Sequence, residues 1–375
     1  MGSAAEYQQS LQKIIDEVIA PSAAEVDQAA RFPSAAIDAL SRAGLLALIS
    51  AKEVGGMGES MRAASYVVEK IAEACGSTAM VVCMHYAATA VIEKHGTEAV
   101  RREIAAGKHL STLAFSEAGS RSHFWAPVGT AAQSNGQFLL DNKKSWVTSA
   151  GHADSYVWSS KPVSVEGAST IWLVPSHAAG VATVAPFDGL GLRGNASSPV
   201  TGTQVKVSEA DRLGPDGGGF DVMMGTVLPL FQVLNASCSL GTMEASVKKS
   251  AAHVGGTKFA HLGQSLADLP TIRAYIARAR IRTDSVRALL GDTISALETG
   301  REDAMLRVLE IKAAAGEAAL EVTDLAMRVC GGAAFRKDVG VERNFRDARA
   351  ASVMAPTSDV LYDFIGKAVC GLPLF

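Results

Sequence analysis

The stretch with the densest chemistry runs from Arg328 to Thr357, RVCGGAAFRKDVGVERNFRDARAASVMAPT. A helical tail ends there on Gly331 and Gly332. A charged crossing segment follows, carrying Glu342, Arg343, Arg346, Asp347 and Arg349, and then Pro356 and Thr357 open a last helix. Paired glycines behind a helix let backbone amides approach a ligand closely, because no Cβ stands in the way. The same residues also suit a plain helix C-cap followed by a solvated loop. A second point of interest is His85, alone in CMHYAA on an otherwise apolar helix, where a lone imidazole is more often a hydrogen-bonded core group than a base. The triple Gly55, Gly56 and Gly58 lacks a preceding strand and the full G-x-G-x-x-G spacing, so it reads as a tight turn between helices. Cys75, Cys83, Cys238, Cys330 and Cys370 are dispersed in apolar surroundings without metal-ligand spacing, and read as reduced core thiols.

The elements that position these residues change character twice. Residues 5–20 have helical periodicity that should stop at Pro21, and Ser34 can cap a second helix through Ile37, Leu40 and Leu45. Helices over 61–75, 78–95 and 97–106 complete an all-helical N-terminal domain, residues 1–109. From Leu110 the chain turns to short runs rich in Val, Thr, Ser, Trp and Phe, with a hairpin signal at Asn135-Gly136, which predict an antiparallel β domain over 110–210. All four tryptophans, Trp125, Trp146, Trp158 and Trp172, fall in it as core or sheet-face residues. DRLGPDGGGF is a linker, after which helices over 220–253, 266–298, 302–330 and 357–371 predict a four-helix bundle in 211–375, broken near Gly255-Gly256. The fold class is α+β.

Composition narrows the partners. With 375 residues, 48% apolar and 19% charged, the chain can bury a large core and part of a subunit interface. A net charge of −3 with scattered Lys and Arg argues against nucleic acid. Without a run of 18 or more apolar residues or a basic-then-apolar N-terminus, neither a membrane span nor a signal peptide is expected, and the chain reads as cytoplasmic. Arg101-Arg102 and the run from Arg278 to Arg282 read as solvated helix faces.

Five stretches in this order resemble the acyl-CoA dehydrogenase flavoproteins over essentially the whole chain. They are KEVGGMGES, LAFSEAGSRSH, LDNKKSWVTSAGHAD, LGLRGNASSPV with LGPDGGGF, and VCGGAAF with ERNFRDAR. The resemblance implies FAD, with Phe115 and Ser116 lining the flavin ring, Trp146 stacked on its far face and Thr148 donating toward N5. It places Ser122 near the CoA end of the substrate. Gly331 and Gly332 would receive the adenosine part from a neighbouring subunit, in a homotetramer or a dimer. It also makes Glu117 a structural residue.

The chain departs from that family where the substrate's α-proton is removed. The usual Glu falls at Ala355, in Ala355-Pro356-Thr357, and the alternative seat on the first bundle helix holds Phe231 and Gln232. Gln232 also replaces the family's substrate-contacting arginine. The arginine that pairs with the flavin pyrophosphate falls near Gly256, and the Gln before the glycine pair is Arg328. Arg328 or Lys258 would then supply positive charge to the diphosphate, or the flavin would be FMN. Substitute bases are Asp359, one turn past Ala355, His85 and His123. Three functions stay open: an acyl-thioester α,β-dehydrogenase with a displaced base, a monooxygenase or oxidase using reduced flavin and oxygen, and a catalytically silent flavin-binding partner.

Overall fold

A computed structural model describes residues 4–374 apart from Phe187 and Leu262. The N-terminal helix does not stop at Pro21. It runs through Ala4–Ile14, a π-helical turn at Ile15–Ile19 and on through Ala20–Gln28. Proline breaks a regular helix because it lacks an N–H and its ring crowds the carbonyl one turn back. The widened turn just ahead of Pro21 absorbs that misfit and lets Ala23 and Val26 stay on the core side.

Helices Ser34–Arg42, Met61–Ala74, Gly76–His95 and Glu98–Ala105 complete the first layer. Gly76–His95 is buried on nearly every face, and His85 sits in it with no exposure. The N–H of Ser111 donates to Nδ1 at 3.1 Å, which leaves Nε2 to donate to the Leu46 carbonyl at 3.1 Å. Both ring nitrogens are therefore engaged. As a candidate base His85 is corrected to a core tie between the first helical layer and the first strand. Burial pulls its pKa down to about 4.

The middle of the chain forms two sheets. β1 (Ser111–Ala114), β4 (Ser155–Ser160) and β5 (Thr170–Pro175) lie in the order β1-β4-β5. β2 (Thr130–Ser134), β3 (Gln137–Val147), β6 (Val181–Thr183) and β7 (Ser198–Val207) lie in the order β2-β3-β7-β6. The expected antiparallel pairing holds except between β1 and β4, which run parallel with Ser111 opposite Ser155. Phe138, Leu140, Tyr156, Trp158, Trp172, Val200 and Val205 fill the space between the sheets. Trp158 and Trp172 are core residues, whereas Trp146 is 64% exposed.

The C-terminal bundle is built from Leu228–Gly256, Pro270–Thr299, Ala304–Cys330 and Ser358–Val369, with a small hairpin, β8 (Lys258–Phe259) and β9 (Gln264–Ser265), at the Gly255-Gly256 break. The run Gly219–Gly256 is long and apolar enough to cross a bilayer by composition, but 78% of its most apolar window is buried inside the fold. The charged crossing segment is not a solvated loop but a fifth helix, Val341–Val353. Its charges are paired in place. Arg346 bridges Asp27 and Glu342 at 2.6 Å each, and Asp347 accepts the Leu192 N–H at 2.6 Å. These bonds tie helix, β domain and N-terminal layer together. Four cysteines are buried as expected; Cys370 is exposed just past the last helix. The run from Arg278 to Arg282 pairs with Glu244 and Glu321 on neighbouring helices.

The His85 tie has a pH signature. An unfolded imidazole takes up its proton near pH 6.5, while the buried one resists to about 4. The unfolded state therefore binds more protons in that window. The stability is fully present above pH 6.5 and about 3 kcal/mol of it is lost as pH falls toward 4. His85→Gln keeps a donor and an acceptor but cannot titrate. Urea midpoints measured from pH 7 to 4 should fall less steeply in this variant than in the parent.

Candidate active site

Four of the residues assigned to the flavin, Phe115, Ser116, Trp146 and Thr148, are brought together through one buried ion pair. Glu117 follows Phe115 and Ser116 beyond the end of β1, and Lys144 precedes Trp146 in β3. Their side chains meet at 2.6 Å with essentially no exposure. The second Glu117 oxygen accepts the N–H groups of Val128 at 2.7 Å and Gly129 at 3.0 Å. Lys144 also donates to the Ser159 carbonyl and hydroxyl, at 2.7 and 2.9 Å. Burial pulls the Lys144 pKa down to about 8 and Glu117 opposes that shift, so the ammonium form is retained at neutral pH. Above the pair, the Ser145 N–H bonds the Ser116 carbonyl at 2.8 Å, laying the two motif stretches side by side.

The strand is irregular where the indole emerges. Pairing between β3 and β7 shifts register between Lys144 and Val147, and Trp146 adopts φ +54°. A bulky residue in the left-handed region is an outlier that costs on the order of 1–3 kcal/mol, and such strain gathers at functional sites. Here it turns the indole out of the sheet. Phe115 and Thr148 are almost buried, and Ser116 is half-buried.

A second cluster lies where the last helix begins. The Ser122 hydroxyl is 3.4 Å from that of Thr357, so the loop after β1 reaches the turn that holds Ala355. That turn is held from below by Lys312, on the Ala304–Cys330 helix. Its ammonium, 1% exposed, donates to the carbonyls of Ala351 at 2.9 Å, Met354 at 3.0 Å and Pro356 at 2.8 Å. Burial draws its pKa down to about 7, yet three carbonyl acceptors match the three N–H bonds of the protonated form. Sequence reasoning missed Lys312. Its signal was available: a lysine within LEIKAAAG, at the i and i+4 spacing of the buried Val308 and Gly316.

The remaining assignments separate. His123 is exposed and meets the edge of Trp125 at 5.1 Å, and Trp125 in turn touches Phe364 of the last helix at 5.9 Å. Asp359 is exposed in the first turn of that helix. Phe231 and Gln232 are buried, with no carboxylate at either position. Asn235, also unforeseen, lies one turn beyond Gln232 and donates from Nδ2 to the Met354 sulfur at 3.4 Å. Arg328 is exposed, with its guanidinium 4.8 Å from the centre of the Tyr275 ring and a 3.1 Å bond to the Tyr275 hydroxyl. Beside it Gly331 (φ +56°) and Gly332 have nothing within 4 Å of where a Cβ would stand. Lys258 is exposed on the hairpin.

The order of these pieces matches three domain profiles: the N-terminal domain of acyl-CoA dehydrogenases over residues 3–107, the middle domain over 112–205 and the C-terminal domain over 217–370. The chain belongs to the acyl-CoA dehydrogenase family. It is a flavoprotein oxidoreductase of that type. The mitochondrial short-chain specific acyl-CoA dehydrogenase of Bos taurus is 27% identical over 359 residues, covering 94% of this chain and 86% of the relative. Butyryl-CoA dehydrogenase from Megasphaera elsdenii shares the fold with a TM-score of 0.90 at 20% identity, over 99% of both chains. The prolyl acyl carrier protein oxidase AnaB shares it with a TM-score of 0.87 at 18% identity, over 97% of this chain and 99% of that one.

The acyl-CoA dehydrogenases use FAD, and the residues here suit it. A projecting indole offers a flat apolar wall, and the open backbone at Gly331 and Gly332 offers a surface with no side chain in the way. The Glu117–Lys144 pair can be tested directly. Glu117→Gln should leave the Lys144 ammonium buried without its charge partner and lower stability by about 3–5 kcal/mol in urea unfolding. Lys144→Met in the same chain should recover part of that loss, as expected if the uncompensated charge is the cause.

Proposed function

We propose that this protein binds FAD between its β domain and its C-terminal bundle and oxidises an acyl thioester, with His123 in place of the missing carboxylate base. The observation that carries the reading is Trp146, held in a strained conformation and turned outward beside Phe115, Ser116 and Thr148. Bound FAD would supply the hydride acceptor. The chain's own part is to position the thioester and take the α-proton. Ser122 and Thr357 lie where the CoA end would pass. His123 adjoins Ser122, whose hydroxyl reaches within 3.4 Å of Thr357, two residues from Ala355. An imidazole there offers a ring nitrogen that can take up the α-proton. Asp359 is less favoured, because a first-turn aspartate is accounted for by the helix dipole. Arg328 and the open glycine pair support an adenosine-bearing flavin shared with a second copy of the chain, and Phe335, 82% exposed beside them, supports the same homo-oligomer.

A second reading is supported by the same three positions, Ala355, Phe231 and Gln232. Use of reduced flavin and oxygen needs no α-proton base at all. One experiment separates the two. FAD-loaded protein is mixed anaerobically with a panel of acyl-CoAs and flavin absorbance is followed. Bleaching is expected, with His123→Ala slowing it by about a hundredfold. Absence of bleaching together with substrate-dependent oxygen uptake by the reduced protein would establish the second reading. A protein that takes up neither FAD nor FMN would overturn both.

A further inference from the structure

Polar side chains deep in this fold are mostly satisfied. Asn344 accepts from Lys249 and donates to the Thr242 carbonyl, and Asn195 accepts the Ser197 N–H. Two carboxamides beside the Ala355 turn depart from this pattern. Gln232 has no exposure, and neither its Oε1 nor its Nε2 has a hydrogen-bond partner among the described residues. Asn235 is 1% exposed and its Oδ1 is likewise unmatched. The residues are three apart on one helix and so share a face. The bond from Asn235 to Met354 turns that face toward the turn Lys312 holds, next to Ala355.

Leaving such groups unpaired opposes folding, since each was hydrogen-bonded to water in the unfolded chain. Leucine or methionine would fill this space without the penalty. A ligand that completes the bonds relieves it. Resting on the acyl-thioester reading above, we infer that Gln232 and Asn235 select an acyl group bearing a neutral, hydrogen-bonding substituent, such as a hydroxyl or a carboxamide, over a plain alkyl chain.

The unmatched atoms set that chemistry. Two are carbonyl oxygens and one is an amide nitrogen, so the partner must both donate and accept, with donors predominating. A carboxylate brings no donor and would face two oxygens. An ammonium brings no acceptor, and Ala355, Phe231 and Gln232 offer no carboxylate to balance it; Lys312, which holds the adjoining turn, is itself a cation. A carboxamide supplies two N–H bonds and one carbonyl, complementary to the three atoms left over. Sites built around such bonds reject analogues that lack them, because the buried polar groups are then left unpaired.

The test uses FAD-loaded protein and linear alkyl acyl-CoAs of several lengths, each with its terminal hydroxyl, carboxamide, carboxylate and ammonium analogues. Dissociation constants are read anaerobically from the flavin absorbance change and by calorimetry. The hydroxyl or carboxamide member is expected to bind at least about tenfold more tightly than the alkyl member of the same length. Gln232→Met and Asn235→Leu, singly and together, should erase that preference, and Gln232→Met should raise the Tm of the protein without thioester. An alkyl chain or a charged analogue binding as tightly as the neutral polar one would overturn the inference while leaving the acyl-thioester reading intact. So would a preference that survives in the double variant. If no acyl-CoA binds at all, the acyl-thioester reading falls and the inference with it.

Discussion

The proposed flavin site depends on the ion pair between Glu117 and Lys144. One carboxylate gathers a lysine from β3 and two backbone N–H groups from the loop after β1, and all of this happens away from water. Buried charges are expensive unless both partners and their hydrogen bonds are in place. That expense makes the arrangement specific: the two stretches cannot slide relative to one another without exposing an unpaired charge to the interior. Phe115, Ser116, Trp146 and Thr148 all stand within four residues of the pair in sequence. Their mutual placement, including the outward indole, follows from it.

The bundle side of the proposed site is set by a different device. Among the described residues Lys312 has no acidic partner, and it collects three carbonyls at the end of the Val341–Val353 helix. That helix is anchored to the N-terminal layer through Arg346 and Asp27, and to the β domain through Asp347 and Leu192. The turn with Ala355 is thereby fixed relative to all three parts of the chain. This frame is built around the methyl group of Ala355. Rigid support at a position with no reactive atom is consistent with a turn that shapes the substrate pocket.

Much of this was legible in the sequence. The change from helical period to short Val- and Thr-rich runs and back fixes the order of the three regions, and the motifs around Trp146 and Gly331 point to the family. What escaped was whatever depended on long-range pairing. ERNFRDARAASV is too polar to look like a packed helix until Asp27, Leu192 and Lys249 are seen to meet Arg346, Asp347 and Asn344. Pro21 reads as a stop because a π turn leaves no local signature. The parallel pairing of β1 with β4 joins residues 44 positions apart, beyond the reach of hairpin signals. His85 could be read either as base or as core, and only the positions of Leu46 and Ser111 decide it. Lys312 was hidden by habit, since a lysine in a helix is normally read as solvated.

The most direct test of the central claim is a calorimetric titration of flavin-free protein with FAD, run in parallel on the parent and on Trp146→Ala. The account expects saturable uptake approaching one FAD per chain, with affinity about tenfold weaker in the variant, in keeping with the loss of one aromatic stacking contact. No uptake by the parent, or equal affinity in the two proteins, would contradict it.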